Sequence, residues 1–472
     1  MNKTLIGLLL LLISSVLFGQ TVADQSTLVH PQKKHAPVRK AGKYLLKLYL
    51  GIGAKVDDPQ GLTTVKLNSR DDPDVPKDDD EITVYGVNRG NNTIIYNNSL
   101  LSIAIYGKNL PDKQKLNSPH GITANPAGRV LVADTGNDRI VELIDSGTLS
   151  HLRTYGKKGN GRGEFNAPLD VKLDSQGNFY VLDSGNNRIQ FFSEEGEVLK
   201  IWGEEDGLIL NDPVSMAVTD REEKWSYNKK NMIIVSDNSG ASLKRLTGNG
   251  VLTAEVTGAD IGYPGALFAY IALDYYDNIY VTDKKNHVIH KFKSNLSYIT
   301  SFGGKGKDKN EFIEPRGIAI WRRLGQVIIG EKETVQYYLI GTELQNVKLE
   351  SVKGGVYVSA KLTERSILKV DIFDENDNFI RRLNKTGKKY GPGSVTFRWN
   401  MMPGPIENIF KEVDGYKRKQ NYALDEKVPA GKYKIRLEAK PTYSSKKYFT
   451  DKEEIDLEIK ENNVVIEIKK SE

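Results

Sequence analysis

The sequence predicts an all-β protein in two parts: repeated β-sheet units through most of the chain, then a second β-domain with its own strand pattern. Three observations carry this. Two stretches align without gaps, Tyr155-Gly156-Lys157-Lys158-Gly159 running on to Phe165 and Pro168, and Phe302-Gly303-Gly304-Lys305-Gly306 running on to Phe312 and Pro315. An apolar run closing on an acid recurs as Val130–Asp134, Phe179–Asp183, Ile233–Asp237, Ile279–Asp283 and Val327–Glu331. From Asn346 the repeat stops and a plain apolar–polar alternation takes over.

Before the repeats, Met1-Asn2-Lys3 leads into the apolar run Thr4 to Phe18, followed by Gly19, Gln20 and Ala23. This has the form of a secretory signal peptide, with cleavage expected after Gly19 and Ala23 as the alternative. The apolar run is shorter than the ~20 residues a spanning helix needs, so no transmembrane anchor is expected once it is removed. The 472 residues contain no cysteine. That excludes a lipid-anchoring cysteine, disulfides, and thiolate metal or nucleophile chemistry. An exported protein, periplasmic or secreted and of a bacterial envelope, is the expectation. The 67 basic residues are offset by 61 acidic ones spread along the chain, so no basic face for nucleic acid is implied.

After the recurring acid the chain turns. Asp134-Thr135-Gly136-Asn137-Asp138-Arg139-Ile140 and Asp183-Ser184-Gly185-Asn186-Asn187-Arg188-Ile189 are nearly one heptapeptide. Asp and Asn accept backbone N–H bonds and tolerate unusual dihedrals, and Gly takes positive φ, so the motif is a tight connection into a third strand. Asp134, Asp183, Asp237 and Asp283 are accordingly read as structural turn residues. Pro-x-Gly-Ile, then Val-x-Asp-x-x-Asn-x-Arg-Ile, then aromatic-Gly resembles the NHL repeat, which implies one four-stranded propeller blade per copy. Copies begin near Pro119, Pro168, Pro213, Phe268 and Pro315, and a degenerate one begins at Pro59-Gln60-Gly61-Leu62 with Asn88 replacing the acid. The expectation is a six-bladed β-propeller over residues 43–345, behind a linker at 20–42. Asp71 to Glu81 is an acidic insertion in the first blade. Tyr44 to Gly51 is expected to close the ring by pairing near Thr334 to Ile340, because an open ring would leave bare strand edges.

In the second part, Ile367 to Asp374 alternates, turns at Glu375 to Asn378 and returns as Phe379 to Leu383. With Trp399-Asn400 and Val428-Pro429-Ala430-Gly431-Lys432-Tyr433, this resembles the FlgD-like immunoglobulin-like domain, implying a β-sandwich over 346–472. Met401 to Asp425 is a longer loop than that pattern has.

Propellers bind ligands where loops meet the central channel. Residues flanking the inner-strand starts are Gln60, His120, Leu169, Val214, Ala269 and Arg316; with Arg139 and Arg188 from the turns, Gln60, His120 and Arg316 form the candidate binding set. Pro119-His120-Gly121-Ile122 is similar to the zinc-ligand segment of the peptidyl-glycine amidating lyase propeller. A catalytic zinc needs three protein ligands, and the equivalent positions offer no second histidine. His30 and His35 precede the repeats, and His151, His287 and His290 fall in other registers. Calcium-dependent lactonases use propellers too, yet the repeated acids are better explained as turn residues, and Asp71 to Glu81 lacks EF-hand spacing. Gly159-Asn160-Gly161-Arg162-Gly163 has no helix after it to make a phosphate cradle. No catalytic set converges. The expected function is a non-catalytic binding module for a protein, peptide or glycan partner, without nucleic acid and without a cofactor. A zinc- or calcium-dependent lyase or hydrolase with His120 as metal ligand is the alternative.

Overall fold

A computed structural model describes residues 21–33, 40–42, 56–70, 82–99, 102–404, 410–413, 416–419, 427–460 and 463–465. Among them secondary structure is strand and short 3-10 turn, with no α-helix. The first blade is Pro59–Val65, Thr83–Asn88, Thr93–Ser99 and Ser102–Tyr106, antiparallel and in chain order. The innermost strands of the blades that follow are Ile122–Ala124, Asp170–Leu173, Ser215–Thr219, Phe268–Leu273 and Ile318–Trp321. Each packs on the next, and the sixth packs back on the first, so the ring is closed as a six-bladed β-propeller.

Stacking between blades explains the apolar runs. In the second blade Val130 and Val132 face the first blade, packing with Tyr85, Val87 and Ile94. Leu131 and Ala133 face the third, packing with Phe165, Phe179 and Phe192. A strand buried on both faces loses the alternation of a half-exposed one and reads as continuous hydrophobe. The aromatic-Gly motif has an equally local cause. Gly156 and Gly303 take φ of +77° and +105°, and a Cβ there would lie 2.3 and 2.5 Å from the rings of Phe165 and Phe312. The glycine makes room for the phenylalanine that follows nine residues on, which is why the two recur together.

The sixth blade takes its first three strands from Ile318–Trp321, Gln326–Gly330 and Val335–Ile340, and its outer edge from the N-terminal segment. Leu28 and Val29 pair with Ile340 and Leu339, and Lys40 and Ala41 with Gln336 and Val335. The edge expected to receive the closing strand does receive one. Its donors, however, come from residues 20–42, the segment expected to be a linker; Leu28 buries its side chain there, and Gly341 N donates to the Thr27 carbonyl at 3.0 Å. Tyr44 to Gly51, residues 1–19 and Asp71 to Glu81 lie outside the described residues.

The second part is a two-sheet β-sandwich. Leu344–Val352, Gly355–Leu362 and Gly393–Trp399 form one sheet; Ser366–Asp374 and Gly431–Pro441 centre the other. Val356, Val358, Val370, Ile372, Ile435 and the fully buried Trp399 fill the space between. Within the long loop expected from Met401 to Asp425, Phe410–Val413 and Tyr416–Lys419 pair as a hairpin.

The two parts share a buried seam. Lys291 of the fifth blade donates to the Thr363 carbonyl at 2.8 Å and pairs with Glu364, and all three residues are buried. Tyr443 of the sandwich accepts from Tyr275 N through its hydroxyl at 3.1 Å, while Arg365 lies over the rings of Tyr227 and Tyr276.

Candidate functional site

Antiparallel pairing puts the start of every inner strand beside the end of the second strand, as Asp170 opposite Leu182 and Ile318 opposite Ile329 show. One end of the channel is therefore ringed twice: by residues entering the inner strands, and by the turns leaving the second strands.

The residue closing each second strand fixes this end. Its side-chain oxygen accepts a backbone N–H from the segment entering its own blade: Asn88 from Asp57, Asp134 from Asn117, Asp183 from Asn166, Asp237 from Asn211, Asp283 from Leu267, and Glu331 from Ile313, at 2.6 to 3.1 Å. The left-handed residue ending the turn ties neighbouring blades. Asn92, Asp138 and Asn187 accept from Ser118 N, Ala167 N and Asp212 N of the next blade. His287 sits in the same place with φ +61° and accepts from Glu314 N at 2.9 Å through Nδ1. That acceptor must be unprotonated; burial, with the charge of Lys305, lowers the ring's pKa.

Two of the predicted binding residues are consumed by this latch. Arg139 Nε donates to Asp134 and Arg188 Nε to Asp183, both at 2.7 Å. Their remaining N–H groups reach the carbonyls of Lys113 and Lys115, and of Asn160, Gly161 and Glu164. Both guanidiniums thus hold loops.

Gln60, His120 and Arg316 do come together. Gly61 N donates to the His120 carbonyl at 3.0 Å, and the Gln60 carbonyl lies against Gly317, where a Cβ would be 2.3 Å away. At their centre is Asp58, in the left-handed region at φ +48°. It accepts from Gln60 Nε2 at 3.0 Å and pairs with Arg316 and, at 3.0 Å, with Arg89. Burial opposes its ionisation, but Arg316 and Arg89 outweigh that and hold the carboxyl below its usual range. Tyr270 OH donates to Gln60 Oε1 at 3.1 Å, and Arg316 reaches Glu314 at 3.2 Å. Arg316 Nε is buried and has no hydrogen-bond partner among the described residues. His120 Nδ1 sits 3.1 Å from Thr135 Oγ1 and 3.2 Å from the Ser118 carbonyl. Burial, and then the charge of Arg89, push its pKa down to about 4, so the ring is neutral at ordinary pH.

Just inside, Asp170 is fully buried, takes N–H bonds from Val171 and Met216 at 2.9 Å, and pairs with Lys172 at 2.7 Å. Ser215 Oγ is also buried and has no hydrogen-bond partner among the described residues. At the far end of the channel Arg322 crosses between blades, donating to Thr219 Oγ1 and the Asp274 carbonyl at 3.0 Å and pairing with Asp277.

Asp58, Arg89, Tyr270 and Lys284 were not singled out from the sequence. A signal was present for two of them: Arg89 and Lys284 each directly follow the latch residue, a register position that the repeat defines on every blade. Among the described residues no group of three or more His, Asp or Glu is placed to hold a metal ion. The arrangement offers guanidinium, ammonium, amide and neutral imidazole groups around an opening. It is a set suited to hydrogen-bonded recognition.

Comparison with known proteins agrees with the repeat. The model of the NHL repeat matches residues 116–143 and 165–192, the second and third blades, and the ring is a β-propeller carrying NHL repeats. Solved structures with some likeness include a virginiamycin B lyase from Staphylococcus aureus with quinupristin, at 20% identity and a TM-score of 0.39 over 54% of this chain and 76% of that one. A streptogramin B lyase matches at 16% identity and 0.40, over 61% and 95%. A gluconolactonase from Xanthomonas campestris matches at 11% identity and 0.42, over 67% and 96%. No curated protein matches the chain.

Proposed function

We propose that this is an exported, non-catalytic binding protein whose propeller mouth holds a protein, peptide or glycan partner, with a FlgD-like immunoglobulin-like domain as spacer or attachment unit. The observation that carries the reading is the convergence of Gln60, His120 and Arg316 with Arg89, Tyr270 and Lys284 at one open end, on a scaffold whose turns are fixed by buried bonds. Rigid presentation of loop groups lowers the ordering cost of binding. The immunoglobulin-like assignment rests on the Trp399-Asn400 and Pro429-Ala430-Gly431-Lys432-Tyr433 segments. Export rests on the N-terminal apolar run. No cofactor is part of this reading.

The test is capture from the envelope fraction of the exporting cell by immobilised wild type and by a Gln60→Ala, Arg316→Gln double variant with a matched melting temperature. Loss of a specific partner from the variant is expected. Equal capture by both proteins would move the site away from the mouth. Metal analysis of the same preparations addresses the lyase or hydrolase alternative: stoichiometric zinc or calcium that disappears on His120→Ala would replace the binding reading.

A further inference from the structure

The two rings around the mouth are unevenly composed. The position directly after each latch residue is Arg89, Thr135, Ser184, Asn238, Lys284 and Lys332 from the first blade to the sixth, so its three cations fall on the fifth, sixth and first blades, which are neighbours across the closure. The inner ring divides in a complementary way. Arg316 and Gln60 belong to the sixth and first blades, and Leu169 and Val214, half-buried, to the third and fourth, with His120 of the second blade and the buried Ala269 of the fifth between them. One side of the opening is cationic and the other aliphatic.

Within the cationic sector Arg89 and Arg316 share Asp58, and Arg316 and Lys332 share Glu314, while the latch carboxylates Asp283 and Glu331 are buried behind Lys284 and Lys332 and accept backbone N–H bonds of their own blades. His120, next to them, is neutral and adds no charge. The Lys284 ammonium is exposed and has no hydrogen-bond or ion-pair partner among the described residues. Asp58 meanwhile sits where a visiting carboxylate would, bridging two guanidinium groups that match carboxylate geometry. Among the described residues, large exposed rings of the kind sugars stack on are not at the mouth. Tyr227 lies on the loop meeting the far end of the channel and the sandwich, and Tyr357 lies on the sandwich.

Resting on the binding reading above, we infer that the mouth takes an acidic peptide, a carboxylate side chain entering the sector of Arg89, Arg316 and Lys284 while an aliphatic neighbour covers Leu169 and Val214. Asp58 acts as an internal competitor for that seat. An electrostatic contact of this kind weakens with added salt.

The probes are a synthetic peptide of alternating Glu and Leu, its Gln and Leu counterpart, and a galacturonate oligomer, titrated against full-length protein by calorimetry. The acidic peptide is expected to bind, the neutral one at least about tenfold more weakly. Lys284→Gln should cost about tenfold, the scale of ~1.4 kcal/mol. Asp58→Asn should tighten binding several-fold by releasing both arginines, and Asn keeps the left-handed backbone tolerable at this position. Equal affinity for the two peptides, no response to Lys284→Gln, weaker binding by Asp58→Asn, or preferential binding of the galacturonate oligomer would each overturn the inference. If envelope capture still depends on Gln60 and Arg316 while the acidic peptide fails, the binding reading stands and only the ligand class is wrong.

Discussion

At the scale of single residues, what looks like a chemical site and what holds the fold are separated by where hydrogen bonds go. Asp183 is buried and accepts from Asn166 N, Asn186, Arg188 and Gln190. Replacing it by Ala leaves a partly buried guanidinium N–H and a backbone N–H unpaired, so Asp183→Ala should cost about 1–3 kcal/mol of stability in denaturant unfolding. A loss within experimental error would show that the latch contributes little. This role was legible beforehand, because Asp, Asn and Gly recur at fixed spacing and their turn chemistry is local. The partners of Arg139 and Arg188 were not, since the carbonyls they reach lie 24 to 28 residues away in loops without a pattern of their own. Asp58 was invisible for another reason: the first blade is degenerate, and its acid lies just outside the Pro59-Gln60-Gly61-Leu62 start that sets the register.

At the scale of elements, the ring closes through two short pairings, of which that of Leu28 and Val29 is the more deeply buried. Leu28 packs with Ile318, Val327, Ile340 and Tyr338, and its strand covers the otherwise bare edge of Val335–Ile340. Leu28→Ala should lower stability by about 2–5 kcal/mol and speed proteolysis within Val335–Ile340, read by mass spectrometry of timed digests. An unchanged cleavage pattern would mean that Lys40–Ala41 is sufficient to protect the edge. Sequence patterning located the receiving strand but not the donor. A stretch such as Ser26-Thr27-Leu28-Val29 is too short to show periodicity, and its pairing is set by the edge it meets. The blades themselves were readable down to their second strands because burial on both faces leaves unbroken apolar runs. The insertion between Thr219 and Met232 was not; Trp225 and Tyr227 in it meet Arg323 and Arg365, contacts that exist only once blades and sandwich are assembled.

At the scale of the whole molecule, the seam between propeller and sandwich carries buried carboxyls in excess of its cations. Asp274 is fully buried near Glu364, with Lys291 as counter-charge, and burial followed by the Glu364 charge pushes its pKa up to about 7. Asp451, which accepts from Leu344 N at 2.6 Å, is likewise raised to about 7, by burial and by Glu343 and Glu453. A carboxyl near 7 in the folded state and ~4 in the unfolded chain is a proton bound only on folding. Its stabilisation is complete below about pH 4, is lost as pH rises through 7, and changes no further above that. The unfolding midpoint should therefore fall between pH 5 and pH 8, and an Asp274→Asn, Asp451→Asn variant should fall less over the same interval. His120 and His287 act in the opposite sense, losing stability as pH drops below 6.5, so the difference between variant and wild type isolates the seam. A parallel decline in both would assign the pH response elsewhere.

The N-terminal closing strand also sets a clock. Leu28 leaves the ribosome early, whereas its partner Ile340 follows only after about 300 further residues, or ~15–60 s of synthesis at ordinary elongation rates. Throughout that time the first five blades can collapse against one another while the segment that seals the circle waits without a mate. Its pairing is the longest-range contact of the ring and the one with the greatest loop to close. Circularity therefore cannot precede synthesis of Val335–Ile340, and a chain cut short before that strand never reaches the step that seals the ring.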